Sequence, residues 1–391
     1  MAGRQPDSRT ALIVGGGIGG LAAGLALRRV GWRIQIFERA HSPQELGFDL
    51  MLASNAMAAL RELGVADAVA AAAVTFDSVS VRIGGDGRPR HLDMTTVPRT
   101  LRPLIASRQA LHGVLLEAVG LAPIMFDAEA VGFAVRPRSV ALELRDGREF
   151  MGDILIGADG VRSAIRKQLH PTAVPRPRRL TGLRGVAYGV QNLLQADFAM
   201  TLVPGGDSGI IRGAGDSVYW FLSTTEEAPP DLQAAAETPV RPFGEPLVSL
   251  VRATRPTDMR LEPIIDSDPL KSWGSGPVTL LGDAAHPMLP HAGQGAAQAL
   301  EDAVALGLTL RGGDDPASAL RRYERVRASR TARIVYLARR LARIRTARNP
   351  ALIALLRATI HAMPAGILRL ARLIRPRDPH KALRVGGYGS K

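Results

Sequence analysis

Apolar residues fall along this chain in two rhythms. The continuous run Thr10-Ala11-Leu12-Ile13-Val14 is too short for a helix and apolar on both sides, so it predicts a buried parallel strand. Arg33-Ile34-Gln35-Ile36-Phe37, Met151 to Ile156 and Pro277-Val278-Thr279-Leu280-Leu281 read the same way. Between them lie stretches with helical spacing. Ile18 to Val30 is one, closed by Gly31. Another begins at Ser107-Arg108-Gln109-Ala110-Leu111. A third opens at Gly293-Gln294-Gly295 and runs through Ala297, Leu300, Val304 and Leu308. Strands alternating with helices predict an α/β fold around a parallel sheet.

Between Arg162 and Trp273 the rhythm changes. Gly185 to Val190, Phe198 to Val203, Ser208 to Arg212 and Ser217 to Ser223 predict short strands separated by Gly- and Asp-rich turns. Val74 to Leu92 is expected to join them. The Pro- and Arg-rich run His170 to Leu180 reads as a connection, and Glu226 to Pro242 as an exposed loop and helix. After Asp314-Asp315-Pro316 a long helix is signalled by Ile334, Leu337, Leu341 and Ile344. Asn349-Pro350 breaks it. A second helix is expected from about Ala351 to Ile360, and a shorter apolar-basic one from Ala365 to Ile374. There is no internal repeat.

The 391 residues are 46% apolar but only 4% aromatic, so Leu, Ala, Val and Ile must fill the core. The absence of cysteine excludes disulfides, thiolate metal sites and cysteine nucleophiles, and makes a reducing cytoplasm the expected location. No metal-ligating cluster stands out. Met1 to Thr10 is polar, so no secretory leader is expected. Ala11 to Leu27 is apolar enough to mimic a membrane span, but its glycines and the following Arg28-Arg29 argue for a buried strand and helix. The net charge of +14 is concentrated at one end. From Arg321 to Lys391, nineteen basic residues meet two acids, Glu324 and Asp378, whereas the preceding residues carry 31 basic and 34 acidic groups. No aromatic interleaving accompanies the basic segment, so nucleic acid is not an expected partner. A solvated basic face, an anionic membrane surface and an acidic partner protein all suit it.

Three motifs carry the candidate chemistry. In Gly15-x-Gly17-x-x-Gly20, Gly15 permits a tight turn, Gly17 lets the backbone approach a pyrophosphate, and Gly20 lets the helix pack on the sheet. The helix then points its first N–H groups at the phosphates. Glu38 ends the second strand 18 residues after Gly20, where an acid accepts hydrogen bonds from an adenosine ribose. That favours FAD or NAD, and the adjacent Arg39 suits a phosphate. Gly157-Ala158-Asp159-Gly160 follows a strand; by itself Asp159 reads as an ordinary turn residue. Gly282-Asp283-Ala284-Ala285-His286-Pro287 is longer and more specific.

In this order and at these separations the motifs resemble the FAD-dependent aromatic-ring monooxygenases, the single-component hydroxylases of the salicylate and para-hydroxybenzoate hydroxylase type. The resemblance covers almost the whole chain. It implies a Rossmann-like FAD-binding domain from residues 1–73, 101–170 and 276–348, an antiparallel-sheet substrate domain from 74–100 and 171–275, and a basic C-terminal helical tail over 349–391. It implies that the Asp159 segment lies against the FAD pyrophosphate and takes part in NADH or NADPH binding. Asp283 would hold the ribityl chain, next to Gly282. Pro287 to Gly295 would pass the flavin ring, with Gly293, Gln294 and Gly295 aiming a helix at its N1/C2-carbonyl edge. Arg108 matches an FAD-contacting arginine. Gly47 to Asn55 matches a flavin-side loop, but Asp49 and Ser54 stand where the family commonly shows glycine and proline. Asp49 either contacts flavin or substrate or is a solvated loop acid.

The implied reaction inserts one oxygen atom from O2 into an aromatic or polycyclic small molecule, by hydroxylation or epoxidation, through a flavin C4a-hydroperoxide. Arg212, Tyr219 and Phe221 fall on strands able to face the pocket, and Arg212 favours an anionic or strongly polar substrate. His291 stands by the flavin loop, placed to bind substrate or shuttle a proton. Two other readings are a protein that holds FAD structurally to template a cyclisation, and a non-catalytic binding protein. A monomer or weak homodimer is expected.

Overall fold

The computed structural model describes residues 9–43, 48–84, 87–99, 102–120, 124–225, 238–312 and 315–362. Gly47, most of the expected 226–242 loop, and the expected helix Ala365 to Ile374 lie outside them.

The apolar runs build the first sheet. Its strands are β1 (Thr10–Val14), β2 (Arg33–Phe37), β8 (Ile124–Met125), β12 (Ile154–Gly157) and β18 (Val278–Leu280), all parallel, in the order β18-β12-β1-β2-β8. Ala11, Leu12, Ile13 and Ile154 to Ile156 are fully buried because both faces are covered. Helix α1 (Ile18–Arg29) covers one face, flanked by α4 (Arg108–Val119) and α7 (Gly295–Leu310). Strands β9 (Ala130–Arg136), β10 (Ser139–Leu144) and β11 (Glu149–Gly152) form a three-stranded antiparallel sheet that adds Val140, Leu142 and Leu144 to the same core. The run Met151 to Ile156, expected as one strand, is therefore split. Asp153 breaks it, its carboxylate accepting from Thr10 N at 2.6 Å.

The second large sheet has seven strands in the order β17-β13-β16-β15-β14-β5-β6. They are β5 (Ser78–Ile83), β6 (Arg90–Asp93), β13 (Arg176–Tyr188), β14 (Phe198–Val203), β15 (Gly206–Arg212), β16 (Ser217–Thr224) and β17 (Met259–Asp266). All pairings are antiparallel except β5 with β14. Strand β13 begins inside the Pro- and Arg-rich run expected to be a connection. The run is pulled into the sheet because Arg178 pairs with the buried Asp266 on β17. One face carries Trp220, Leu222 and Leu183 against α6 (Leu247–Ala253), with Val240 and Phe243 buried there too, so that end of the expected exposed loop is core. The opposite face carries Tyr219 and Phe221. It meets a small sheet of β3 (Asp49–Leu52), β7 (Leu104–Ser107) and β4 (Val74–Thr75), so Val74 joins a different sheet from Ser78. Two short helices, α2 (Ser54–Glu62) and α3 (Ala66–Ala71), follow β3, and α5 (Ala164–Leu169) follows β12.

Helix α8 (Pro316–Arg345) starts at Asp315, whose Oδ2 accepts from Ser318 N at 2.9 Å, with proline at the first turn. Its buried stripe is Thr331, Ile334, Val335, Ala338 and Ala342; the expected Leu337, Leu341 and Ile344 are only half-buried. The small alanines let α8 settle close to Leu180, Ile264 and Leu289. Helix α9 (Pro350–Ala362) matches the expected second helix. Among the described residues no helix is long and apolar enough to cross a membrane, and Ala11 to Leu27 forms β1 and most of α1.

Candidate active site

The first glycine motif is built where β1 meets α1. Gly15 sits at φ 105°, and a side chain on Gly20 would overlap the Gly15 carbonyl oxygen. A side chain on Gly15 would overlap the Ala158 carbonyl, so the first motif packs directly on the second. Gly17 is the N-cap of α1, which has no side-chain cap and no acid in its first turn; its N–H groups are left for an anion. Glu38 Oε2 accepts from Gly16 N at 2.7 Å and Oε1 from Ala40 N at 2.8 Å. Gly16, Gly17 and Glu38 line a cleft of about 100 Å³ with His112, Ser42 and Phe126. Arg39 is exposed outside that lining, and its charge acts on Glu129.

In the second motif, Asp159 Oδ2 accepts from Ala164 N at 2.7 Å, so Asp159 caps α5 together with Ser163. Its Oδ1 is buried without a hydrogen-bond partner among the described residues, and burial raises its pKa. In the third motif Gly282 sits at φ 62° and Asp283 is exposed. A Cβ on Gly295 would lie 3.9 Å from Asp283 Oδ1, which places that carboxylate beside the first turn of α7. Helix α7 also lacks a side-chain cap and a first-turn acid. Gly293 is left-handed, and a Cβ there would come within 3.1 Å of Met51 Cε on β3. Pro287 is buried below this turn. Arg108 is the first residue of α4, and its N–H donates to Phe48 O at 3.3 Å.

The Tyr219 face of the second sheet lies over β3. Tyr219 stacks between Phe48 (centroids 5.7 Å apart) and Phe221 (6.0 Å). Burial pushes its hydroxyl up to about 12, so it is a neutral donor. Val186, Ile211 and Met51 complete an apolar surface around it. Asp49 is the polar exception: its pKa is raised to about 6 by burial. A Cβ on Gly213 would lie 2.8 Å from Asp49 Oδ2, so Asp49 reaches the end of β15 and is not a solvated loop acid.

Of two expected pocket residues, Arg212 is engaged within the sheet and His291 is buried with neither ring nitrogen hydrogen-bonded among the described residues. Arg212 Nε donates to Asp197 Oδ1 at 2.8 Å and Nη1 to Gln191 Oε1 at 3.0 Å, so its charge is neutralised within the sheet. The preference for an anionic substrate loses its carrier. His291 is buried with Nε2 3.6 Å from Asp207 Oδ1, pointing at the second sheet and away from solvent.

The family described as FAD binding domain matches residues 8–338. The chain belongs to it. This flavoprotein is 37% identical over 334 residues to the aurachin C monooxygenase/isomerase of Stigmatella aurantiaca, spanning 82% of this chain and 85% of that one. It is 32% identical to 3-hydroxybenzoate 6-hydroxylase 1 of Aquipseudomonas alcaligenes, spanning 83% and 86%. Among solved structures it superimposes on Klebsiella pneumoniae HpxO complexed with FAD and uric acid, with a TM-score of 0.84 at 25% identity over 97% of this chain and 98% of that one. It is thus an enzyme of the flavoprotein monooxygenase class.

Beneath the motif turns lie four residues that no motif announced, Asp302, Arg327, Glu301 and Arg166. Asp302 Oδ2 accepts from Gly282 N at 3.0 Å and pairs with His286 Nε2 at 2.6 Å. Its Oδ1 takes Arg327 Nε at 2.6 Å, and Arg327 Nη1 reaches Glu301 at 2.6 Å. Burial pushes both carboxyls up, but the surrounding cations outweigh it: Asp302 is lowered and Glu301 falls to about 2. Asn55 Nδ2 joins Glu301 Oε1 (2.7 Å) to Gln294 Oε1 (2.9 Å), tying α2 to the cap of α7. Arg166 donates to the carbonyls of Asp283 (3.0 Å) and Ala284 (2.8 Å), fastening the second motif to the third. The glycine cradle suits FAD, as do the uncapped α1 and α7. So does the buried Gln294 Nε2, which has no hydrogen-bond partner among the described residues.

Proposed function

We propose that this enzyme uses NADH or NADPH and O2 to hydroxylate or epoxidise an apolar, neutral aromatic or polycyclic molecule. The observation that carries this reading is the aromatic face of β16. Tyr219 and Phe221 lie over β3, whose Met51 touches the Gly293 turn. A flat apolar ring held between the two would lie beside the flavin edge. Bound FAD supplies the redox chemistry and the activation of O2. The chain supplies placement. Gly15, Gly17, Gly20 and Glu38 would hold the dinucleotide end, with Asp159 against the pyrophosphate. Asp283 would hold the ribityl chain, and Gly282 and Pro287 shape the turn around it. Gly293, Gln294 and Gly295 would direct the positive end of α7 at the ring, with Arg108 beside it.

Asp49 would be the acid–base group of the pocket. A carboxyl whose pKa is about 6 is largely ionised at neutral pH yet basic enough to accept a phenolic proton. Tyr219 would donate to a substrate oxygen. The names of the relatives support an aromatic ring: one is a hydroxybenzoate hydroxylase, and a structural neighbour holds uric acid. The division is read as an FAD-binding domain from 1–73, 101–170 and 276–348, with the seven-stranded sheet as the substrate domain.

The test is anaerobic addition of NADH or NADPH to the purified holoprotein with candidate aromatics, followed in the visible spectrum. Flavin bands that bleach faster with one substrate and recover in air are expected. Bands that never bleach would sink the monooxygenase cycle and favour a structural FAD.

A further inference from the structure

Helix α9 is apolar along its length and has little to cover it. Its sequence Pro-Ala-Leu-Ile-Ala-Leu-Leu-Arg-Ala-Thr-Ile-His-Ala holds one arginine and no acid, yet none of its residues is buried. Leu355 is 62% exposed, and Leu352, Ile353, Leu356 and Ile360 are only partly covered. The helix is capped at its start, where Asn349 Oδ1 accepts from Ala351 N at 2.9 Å, and held at its end, where Arg90 Nη1 donates to His361 O at 2.6 Å. An open groove of about 420 Å³ separates it from Pro204, lined by Ile353, Ala354, Arg357 and Ala358. A helix with Leu355 exposed and its other large apolar residues only half-covered calls for an apolar neighbour.

Charge decides which neighbour. Helix α8, just before it, shows solvent a stripe at three- and four-residue spacing: Arg325, Ser329, Arg333, Tyr336, Arg340 and Arg343. From Arg325 to Arg343 the helical rise extends the stripe over about 27 Å. The only acid of α8, Glu324, is buried against Thr279 and Arg321. Arg333, Arg340 and Arg343 have no acidic partner among the described residues. In sequence, residues 363–391 continue the same chemistry, with seven basic residues against Asp378 alone and with Ile367, Leu368, Leu370, Leu373 and Ile374 among them. A second copy of this chain would set like charge against like charge. An anionic bilayer offers phosphates to the arginines and an acyl layer to the leucines at once.

We propose that α9, with the arginine stripe that precedes it on α8, is a peripheral docking surface for an anionic lipid bilayer. The helix lies in the interface without crossing it.

The test is cosedimentation of the full-length holoprotein with phosphatidylcholine vesicles, with and without about a third phosphatidylglycerol, at low and physiological salt. Partition onto the anionic vesicles should exceed that onto neutral ones by at least about ten-fold and fall with salt. Arg333→Glu, Arg340→Glu and Arg343→Glu should each lower it about five-fold. Leu355→Asp should lower it while leaving the flavin spectrum unchanged. Equal or absent binding to both vesicle types would overturn the proposal, as would wild-type binding by the charge and Leu355 variants. Retention on polyglutamate or nucleic acid but not on vesicles would overturn it in favour of a soluble polyanion.

Discussion

His291 and Asp207 face each other inside the molecule, His291 Nε2 lying 3.6 Å from Asp207 Oδ1 with both side chains 1% exposed. One stands on the turn that leads to Gly293, the other on β15 of the second sheet. Arg345, at the end of α8, reaches the other oxygen of Asp207 at 3.6 Å. Three elements from distant parts of the chain therefore converge on one carboxylate. Burial pushes that carboxyl up, but His291 and Arg345 more than reverse it. Asp207→Ala would leave the partly exposed Arg345 near the buried His291 without a counter-charge, and a loss of about 1–3 kcal/mol in unfolding free energy is expected. Denaturant titration checks this, and a loss below about 1 kcal/mol would show that the convergence contributes little.

Asp49 should make both stability and rate depend on pH. Burial raises its pKa from 3.8 to about 6. A raised carboxyl favours the folded state below its unfolded pKa, and that contribution is lost as pH rises through about 6. Asp49→Asn should therefore gain stability relative to wild type between pH 4 and 7. If Asp49 accepts the substrate proton, the same variant should lose about 10²-fold in turnover and the acid limb of the rate profile near pH 6. A pH-independent stability difference would remove the buried-acid reading, and an unchanged profile the catalytic one.

Glu38→Ala removes the acceptor for Gly16 N and Ala40 N as well as the expected ribose contact. FAD retention should weaken by roughly 1–3 kcal/mol. Equilibrium dialysis against FAD, with Glu38→Gln as the conservative comparison, separates the two roles. Asp283→Ala should also weaken retention, and an unchanged affinity there would discard its ribityl role.

Gly20→Ala should abolish FAD uptake, because the new methyl group would meet the Gly15 carbonyl at the heart of the phosphate turn. A yellow protein with normal flavin absorbance would show that the turn can open.

Arg212→Gln should leave the KM for substrate within a factor of about two while lowering thermal stability, since its partners are Asp197 and Gln191. A large rise in KM with unchanged stability would return Arg212 to the pocket.

The cofactor half of this protein was legible because its signals are local. Gly15, Gly17 and Gly20 are required by backbone positions within one turn, and the uniform apolar runs announce strands buried on both faces. Glu38 follows from its place at the end of β2. The central strands of the second sheet were readable through alternation and turns, but β17 and the start of β13 were not, because Arg178 and Asp266 pair only once the chain is folded. What the sequence could not say is which face of each strand turns toward β3 and which distant side chain satisfies each charge. Arg212 looks like a pocket residue until Asp197 and Gln191 are brought to it. Asp302, Arg327 and Arg166 look like ordinary helix residues until they are buried beneath Gly282 and Asp283. Asp49 is open to both a loop and a pocket reading until burial at the end of β15 raises its pKa. Local conformation is fixed by near neighbours, so sequence alone determined the strands of the first sheet's core, the glycine turns and the cofactor class. Desolvation and charge pairing depend on residues far apart in the chain, so only the tertiary structure decided which groups are free for chemistry.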